Sequence, residues 1–164
     1  CHAGMDGLAG AFAHYEYNEA TEEMEYTPNT VTAKHLINSD NFKHGYVTTD
    51  DSWVNYWRNG QNKLLGWADK SSAALSSAGI TFDDKDHAHG NGAKSFGHEI
   101  ANSYSFARCQ VKKAYQAVCL HNPDDYAADR ELLDGINGVG GLTRSFMSDY
   151  NMKNVFAKVA ASCR

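Results

Sequence analysis

Proline is almost missing from this chain: Pro28 and Pro123 are the only two in 164 residues. The residue that most strongly breaks helices therefore intervenes at two points, which leaves room for long uninterrupted ones. Long apolar runs are missing as well. No stretch of about 18 apolar residues occurs, so no transmembrane segment is expected. Positive charge is in deficit, with 15 Lys and Arg against 20 Asp and Glu and a formal charge of −5. No basic stripe is available to displace counterions from phosphates, which excludes a nucleic-acid partner. The deficit is nonetheless too mild for an acidic tail. There is no nucleophile elbow, P-loop or zinc-protease motif, and the plentiful Ser, His and Asp are not grouped into a triad. An enzyme reading has no motif behind it. Strand alternation of useful length and internal repeats are also missing.

The chain opens on Cys1, with no initiator Met and no signal-peptide pattern. Three explanations stand side by side: a cut precursor, a mature chain, and a lipoprotein whose first residue carries the acyl groups.

What is present suits one domain over residues 1–164, large enough to bury a core without cysteine staples. A composition shift near residue 93 divides a loop-rich part, 1–93, from a helical part, 94–164. The four cysteines, Cys1, Cys109, Cys119 and Cys163, are an even number and point to an oxidising compartment. The expected location is therefore exported: periplasmic or extracellular, with outer-membrane association a further option. The competing reading is buried free thiols in a cytosolic protein.

The elements follow from spacing. Leu8, Phe12 and Tyr15 fit a short amphipathic helix. Tyr17 to Asn29 is polar and acidic and reads as a loop, and Val31 to Val47 as a loop with one short helix. Thr49-Asp50-Asp51-Ser52 supplies capping side chains ahead of Trp53, Tyr56 and Trp57, which predicts a helix start. A short helix is expected over Ser71 to Leu75, ended by Gly79. Phe82 to Gly92 reads as a polar loop. The clearest helix runs from about Ser95 to Cys119, with Ile100, Tyr104, Ala107, Val111, Ala114, Tyr115 and Val118 on one face. Pro123 ends it. A helix is expected over Tyr126 to Leu133, then a glycine-rich turn, then a last helix from about Asn151. The fold class expected is mainly α: a helical domain with long loops.

Cys1-His2-Ala3-Gly4-Met5-Asp6 is the most informative stretch. A c-type haem is attached through Cys-x-x-Cys-His, and the His ligates the iron. The chain holds the last two members of that pattern. Its continuation through Gly7-Leu8-Ala9-Gly10-Ala11-Phe12 resembles the segment Cys-His-x-x-Met-Asp-Pro-x-Gly-x-Ala of cytochrome c-like domains. These domains sit near the C-terminus of multi-domain exported proteins of planctomycetes and marine proteobacteria. Gly97 to Ser103, Phe106 to Val111 and the ending from Asn151 to Cys163 are similar to later segments of the same domains, whereas residues 20–90 match poorly. Gly7 stands where the family pattern has proline.

The resemblance implies a cytochrome c-like, disulfide-stabilised helical domain with haem c as cofactor. Cys1 would be the second thioether cysteine and His2 the proximal ligand, with the first cysteine of the motif lying before this chain. It also implies a redox partner or other protein subunits, among them the upstream fragment of the same precursor. Met5 is three residues from His2 and would lie beside it rather than across the haem. The distal ligand is left among Met24, His35, His44 and His98. The alternative is a haem-free structural or interaction module of an exported or lipid-anchored complex, for which Trp53, Tyr56 and Trp57 offer contact area.

Asp83-Asp84-Lys85-Asp86-His87-Ala88-His89 gathers oxygen and imidazole donors, but Ala88 breaks the spacing of a calcium loop. It reads as a solvated loop. On a continuous helix Cys109 and Cys119 would stand about 15 Å apart, beyond the reach of a disulfide. Cys163 is then expected to bond to one of them. If the two helices run antiparallel, Cys109–Cys163 is the pair expected, although Cys109 points away from the main apolar face.

Overall fold

The computed structural model describes residues 2–32 and 48–163. About 54% of the described residues are helical, and the rest include two small sheets. The expected helical character and a disulfide are both present, but the mixture of helices and strands differs from the mainly α chain anticipated. The chain divides into two compact units, Cys1–Leu64 with Ala68–Ile100, and Leu65–Trp67 with Ala101–Arg164.

The first unit opens with helix α1, His2–Ala9, and a single 3-10 turn over Gly10–Phe12. Strands β1, Tyr15–Asn18, and β2, Glu23–Tyr26, then pair antiparallel with Tyr15 opposite Tyr26 and Tyr17 opposite Met24. This hairpin replaces the expected loop over Tyr17 to Asn29. Its signal lies in the alternation Tyr-Glu-Tyr-Asn and Glu-Met-Glu-Tyr, short but strict. Strand β3, Ser52–Asn55, replaces the predicted helix start. Asp50 does cap, but it accepts from the Ser52 N–H at 2.8 Å to turn the chain into a strand. Trp53 and Val54 are both buried there, and Tyr56–Arg58 and Gly60–Leu65 form 3-10 turns after it.

Helix α2, Ala73–Ser77, is stopped by Gly79 at φ +74°, as its sequence suggested. Strand β4, Thr81–Phe82, and strand β5, Ala88–Asn91, complete an antiparallel sheet of order β3-β5-β4. Trp53 lies opposite Gly90, where an added Cβ would stand 2.5 Å from the indole. The indole N–H donates to Ser95 Oγ at 2.8 Å, on helix α3, Gly92–Ala101. Leu8, Ala11, Trp53, Leu75, Ile80 and Ala88 form the core of this unit.

The second unit is helical. The long helix expected from Ser95 to Cys119 is broken at Asn102-Ser103 into α3 and α4, Tyr104–Cys119. Ser103 Oγ accepts from the Phe106 N–H at 3.3 Å, and the Tyr104 N–H donates to Gly66 O at 2.8 Å. Those bonds start a new helix where the sequence pattern ran on. Ala107, Val111, Ala114 and Tyr115 form its buried stripe. Helix α5, Ala127–Asp134, leads through a glycine turn to helix α6, Gly141–Asp149, which the sequence reading did not separate from that turn. Helix α7, Met152–Ala160, is capped by Asn151, whose side chain accepts from the Asn154 N–H, and buries Val155 and Val159.

The disulfide joins Cys119 to Cys163, with Cα atoms 5.3 Å apart, and Cys109 is an exposed free thiol. The favoured pair Cys109–Cys163 is therefore corrected. The bond draws together the C-terminal ends of α4 and α7, so the antiparallel premise does not hold, and helical phase decides the partner.

Candidate functional site

Helix α1 begins at His2, and Cys1 lies outside the described residues. Three glycines, Gly4 and Gly7 in this helix and Gly10 in the 3-10 turn after it, set the segment against β3 and the turn that follows β3. A Cβ at Gly4 would fall 1.8 Å from Trp57 Nε1, one at Gly7 2.8 Å from Val54 O, and one at Gly10 1.8 Å from Ser52 O. Only glycine permits so close a backbone approach. The segment that follows the Cys-His pair is thus pressed along β3. Met5, one turn beyond His2, stays 44% exposed.

The expected distal ligands stand on separate elements. Met24 lies on β2 and is 61% exposed, and His98 is exposed in the last turn of α3. His35 and His44 lie outside the described residues. Among the described residues no group of three or more His, Cys, Asp or Glu is placed to hold a metal ion.

A buried ion pair fixes the middle of the first unit. Glu99 is fully buried; its Oε1 accepts from Asn55 Nδ2 and Arg58 Nε at 2.7 Å each, and Oε2 accepts from Arg58 Nη2 at 2.8 Å. Arg58 also donates to Ala68 O at 2.7 Å and lies 4.7 Å from the Phe82 ring centroid. Every charge is answered, as burial demands. The network orders Asn55, which caps the turn carrying Trp57, the partner of Gly4.

The Asp83–His89 stretch is more ordered than a solvated loop. One oxygen of Asp83 meets His87 Nδ1 at 2.8 Å and His89 Nε2 at 3.2 Å, while the other accepts from the Lys85 and His87 backbone N–H groups. Partial desolvation, the largest single influence on this carboxyl, pushes its pKa upward. The hydrogen bonds from His87, His89 and Lys85 together outweigh it and hold the group well below the usual carboxylate range.

The second unit carries a cluster that sequence reasoning missed. His121 Nε2 lies 3.0 Å from Asp129 Oδ2 and 3.2 Å from the hydroxyl of buried Tyr115, and Nδ1 lies 3.0 Å from Cys119 O. Both ring nitrogens face acceptors, and the Asp129 hydrogen bond, followed by the Cys119 carbonyl, raises the His121 pKa. A cavity of about 360 Å³ opens beside His121, Tyr126 and Asp129. A larger one of about 780 Å³, lined by Leu132, Ile136, Val139 and Cys163, shares Ala128 and Asp129 with it. The available signal was the disposition of His121 and Asp129 on either side of Pro123, which says nothing of distance until the turn is known.

Comparisons with known proteins add no relative. No protein-family model matches the chain, and neither a curated protein nor a solved structure matches it.

Proposed function

We propose that this chain is a haem c-binding electron-transfer domain of an exported protein, with Cys1 as a thioether attachment point and His2 as the proximal iron ligand. The observation that carries the reading is the adjacent thiol and imidazole leading directly into α1, a helix held close to Trp57 through Gly4 and to Val54 through Gly7. The donor set fits the group: a cysteine for covalent attachment, an adjacent histidine for iron, and the exposed Met5 as apolar surface one turn on. Bound haem would supply one-electron transfer at its iron. The protein's part is positional. Packing of α1 against Val54 and Trp57 limits movement of the backbone that bears His2, and the Glu99–Arg58–Asn55 network holds the opposing turn. Met24, His44 and His98 are the residues to test as distal ligand. The Cys119–Cys163 disulfide supports an oxidising, exported setting, and no helix among the described residues is long and apolar enough to cross a membrane.

The test is an absorption spectrum of the chain, produced in an oxidising compartment beside a haem-attachment apparatus and with any residues encoded before Cys1 retained. A Soret band that survives denaturation, and that His2→Ala alters, supports the reading. A colourless protein contradicts it. A second reading, a haem-free interaction module, draws on the disulfide-closed second unit with Ile136 and Val139 exposed at its cavity. The colourless outcome would favour that one.

A further inference from the structure

The β1–β2 hairpin concentrates the charge imbalance of the whole chain. Residues 15–26 hold five Glu and no Lys or Arg. The chain has 20 acidic and 15 basic residues, so outside the hairpin the two signs balance and the formal excess of −5 sits in one turn of chain. The register separates two chemistries. Tyr17 and Met24 face each other on the side shared with Tyr15 and Tyr26, while Glu16 and Glu25 face each other on the opposite side. Among the described residues nothing covers the apolar side: Tyr17 is 50%, Met24 61% and Tyr26 55% exposed.

The Tyr15–Tyr26 ring contact at 4.9 Å and the Asn18 Nδ2 bond to Glu25 Oε1 at 2.6 Å hold the hairpin, but the concentrated charge and the exposed Tyr17 and Met24 do not serve its stability. Like charges directly opposite one another are unfavourable, a two-stranded hairpin is marginal alone, and its aromatic side chains remain largely in water. A positively charged surface with an apolar centre relieves all three. The field of the hairpin is also suited to steering such a surface, reaching about 10 Å at 0.1 M salt.

We propose that the β1–β2 hairpin is a docking surface for a basic protein face with an apolar centre, its glutamates pairing with lysine or arginine around Tyr17, Met24 and Tyr26. This surface is independent of the haem reading and stands whether or not Cys1 carries a group.

The probe is a capped synthetic peptide of alternating lysine and valine, compared with a lysine-only peptide and a glutamate–valine one. Binding is followed by titration calorimetry and located by hydrogen exchange on the full chain. The lysine–valine peptide is expected to protect residues 15–26, to weaken about tenfold or more between about 50 mM and 500 mM salt, and to outbind the other two. Changing Glu19, Glu22, Glu23 and Glu25 together to Gln removes repulsion rather than packing, so the hairpin stays folded. It should lower affinity about tenfold and flatten the salt dependence. Tyr17→Ser with Met24→Ser should reduce the lysine–valine peptide to the lysine-only level and keep the salt dependence. Equal binding to all variants, or added protection centred on Asp83–Asp86 instead of 15–26, overturns the proposal.

Discussion

His121 holds its proton more tightly in the folded chain, because Asp129 and the Cys119 carbonyl both accept from its ring. Below the ordinary histidine value both folded and unfolded states are protonated, and the stabilisation is fully present. As pH rises through the raised folded value, it is lost. Thermal unfolding followed by circular dichroism should therefore show stability falling as pH climbs above about 6.5, and His121→Gln should flatten that limb. An unchanged slope in the variant would show that the cluster does not titrate as described. Asp124 gives the opposite sign. Arg108 first and then Lys112 lower its pKa to about 2, so its contribution is present above 3.8 and disappears as pH falls through about 2. Asp124→Asn should remove that acid-side loss. Glu99 is the residue whose change costs most. Glu99→Gln leaves the Arg58 charge buried and uncompensated, with an expected loss of about 3–5 kcal/mol, measurable by urea unfolding.

Among elements, the turn after α1 and helix α3 allow a comparison of two glycines with opposite expected outcomes. A Cβ at Gly10 would lie 1.8 Å from Ser52 O, whereas one at Gly97 would meet nothing within 4 Å. Gly10→Ala should destabilise by about 1–3 kcal/mol or more, as an overpacked contact does. Gly97→Ala should stabilise by about 0.5–1 kcal/mol through helix propensity. Denaturant midpoints of the two variants check both signs. The disulfide between α4 and α7 closes a 44-residue separation. Chain entropy puts the cost of Cys119→Ser with Cys163→Ser at about 4 kcal/mol, while Cys109→Ser, at an exposed free thiol, should change stability little.

These same elements show what the chain disclosed in advance. The stripe Ala107, Val111, Ala114 and Tyr115, the stop at Gly79 and the helix start near Asn151 are local patterns, and local patterns are legible. The break at Ser103 was not, because it depends on Gly66 and Trp67 arriving from elsewhere in the chain to bond there. β3 was mistaken for a helix because Trp53, Tyr56 and Trp57 have helical spacing, whereas burial of Trp53 against Gly90 and Ser95 is a tertiary fact. The disulfide partner turned on helix direction, which no spacing records.

At the scale of the whole molecule, the functional claim rests on two residues at one end, while most of the order described lies elsewhere. The Cys-His pair is a reading of residue type and adjacency alone, since Cys1 lies outside the described residues. The His121 cluster and the charged hairpin were not legible in that way, since the first needs a turn and the second a register. The proposed haem-bearing end, the disulfide-closed helical unit and the proposed docking hairpin need not act together. Intact-mass spectrometry with peptide mapping tests the central claim most directly. The account predicts that haem remains covalently attached to the peptide containing Cys1 after denaturation and digestion, and that Cys1→Ser removes that thioether. A Cys1 peptide without added haem, from protein matured beside the attachment apparatus, would contradict it.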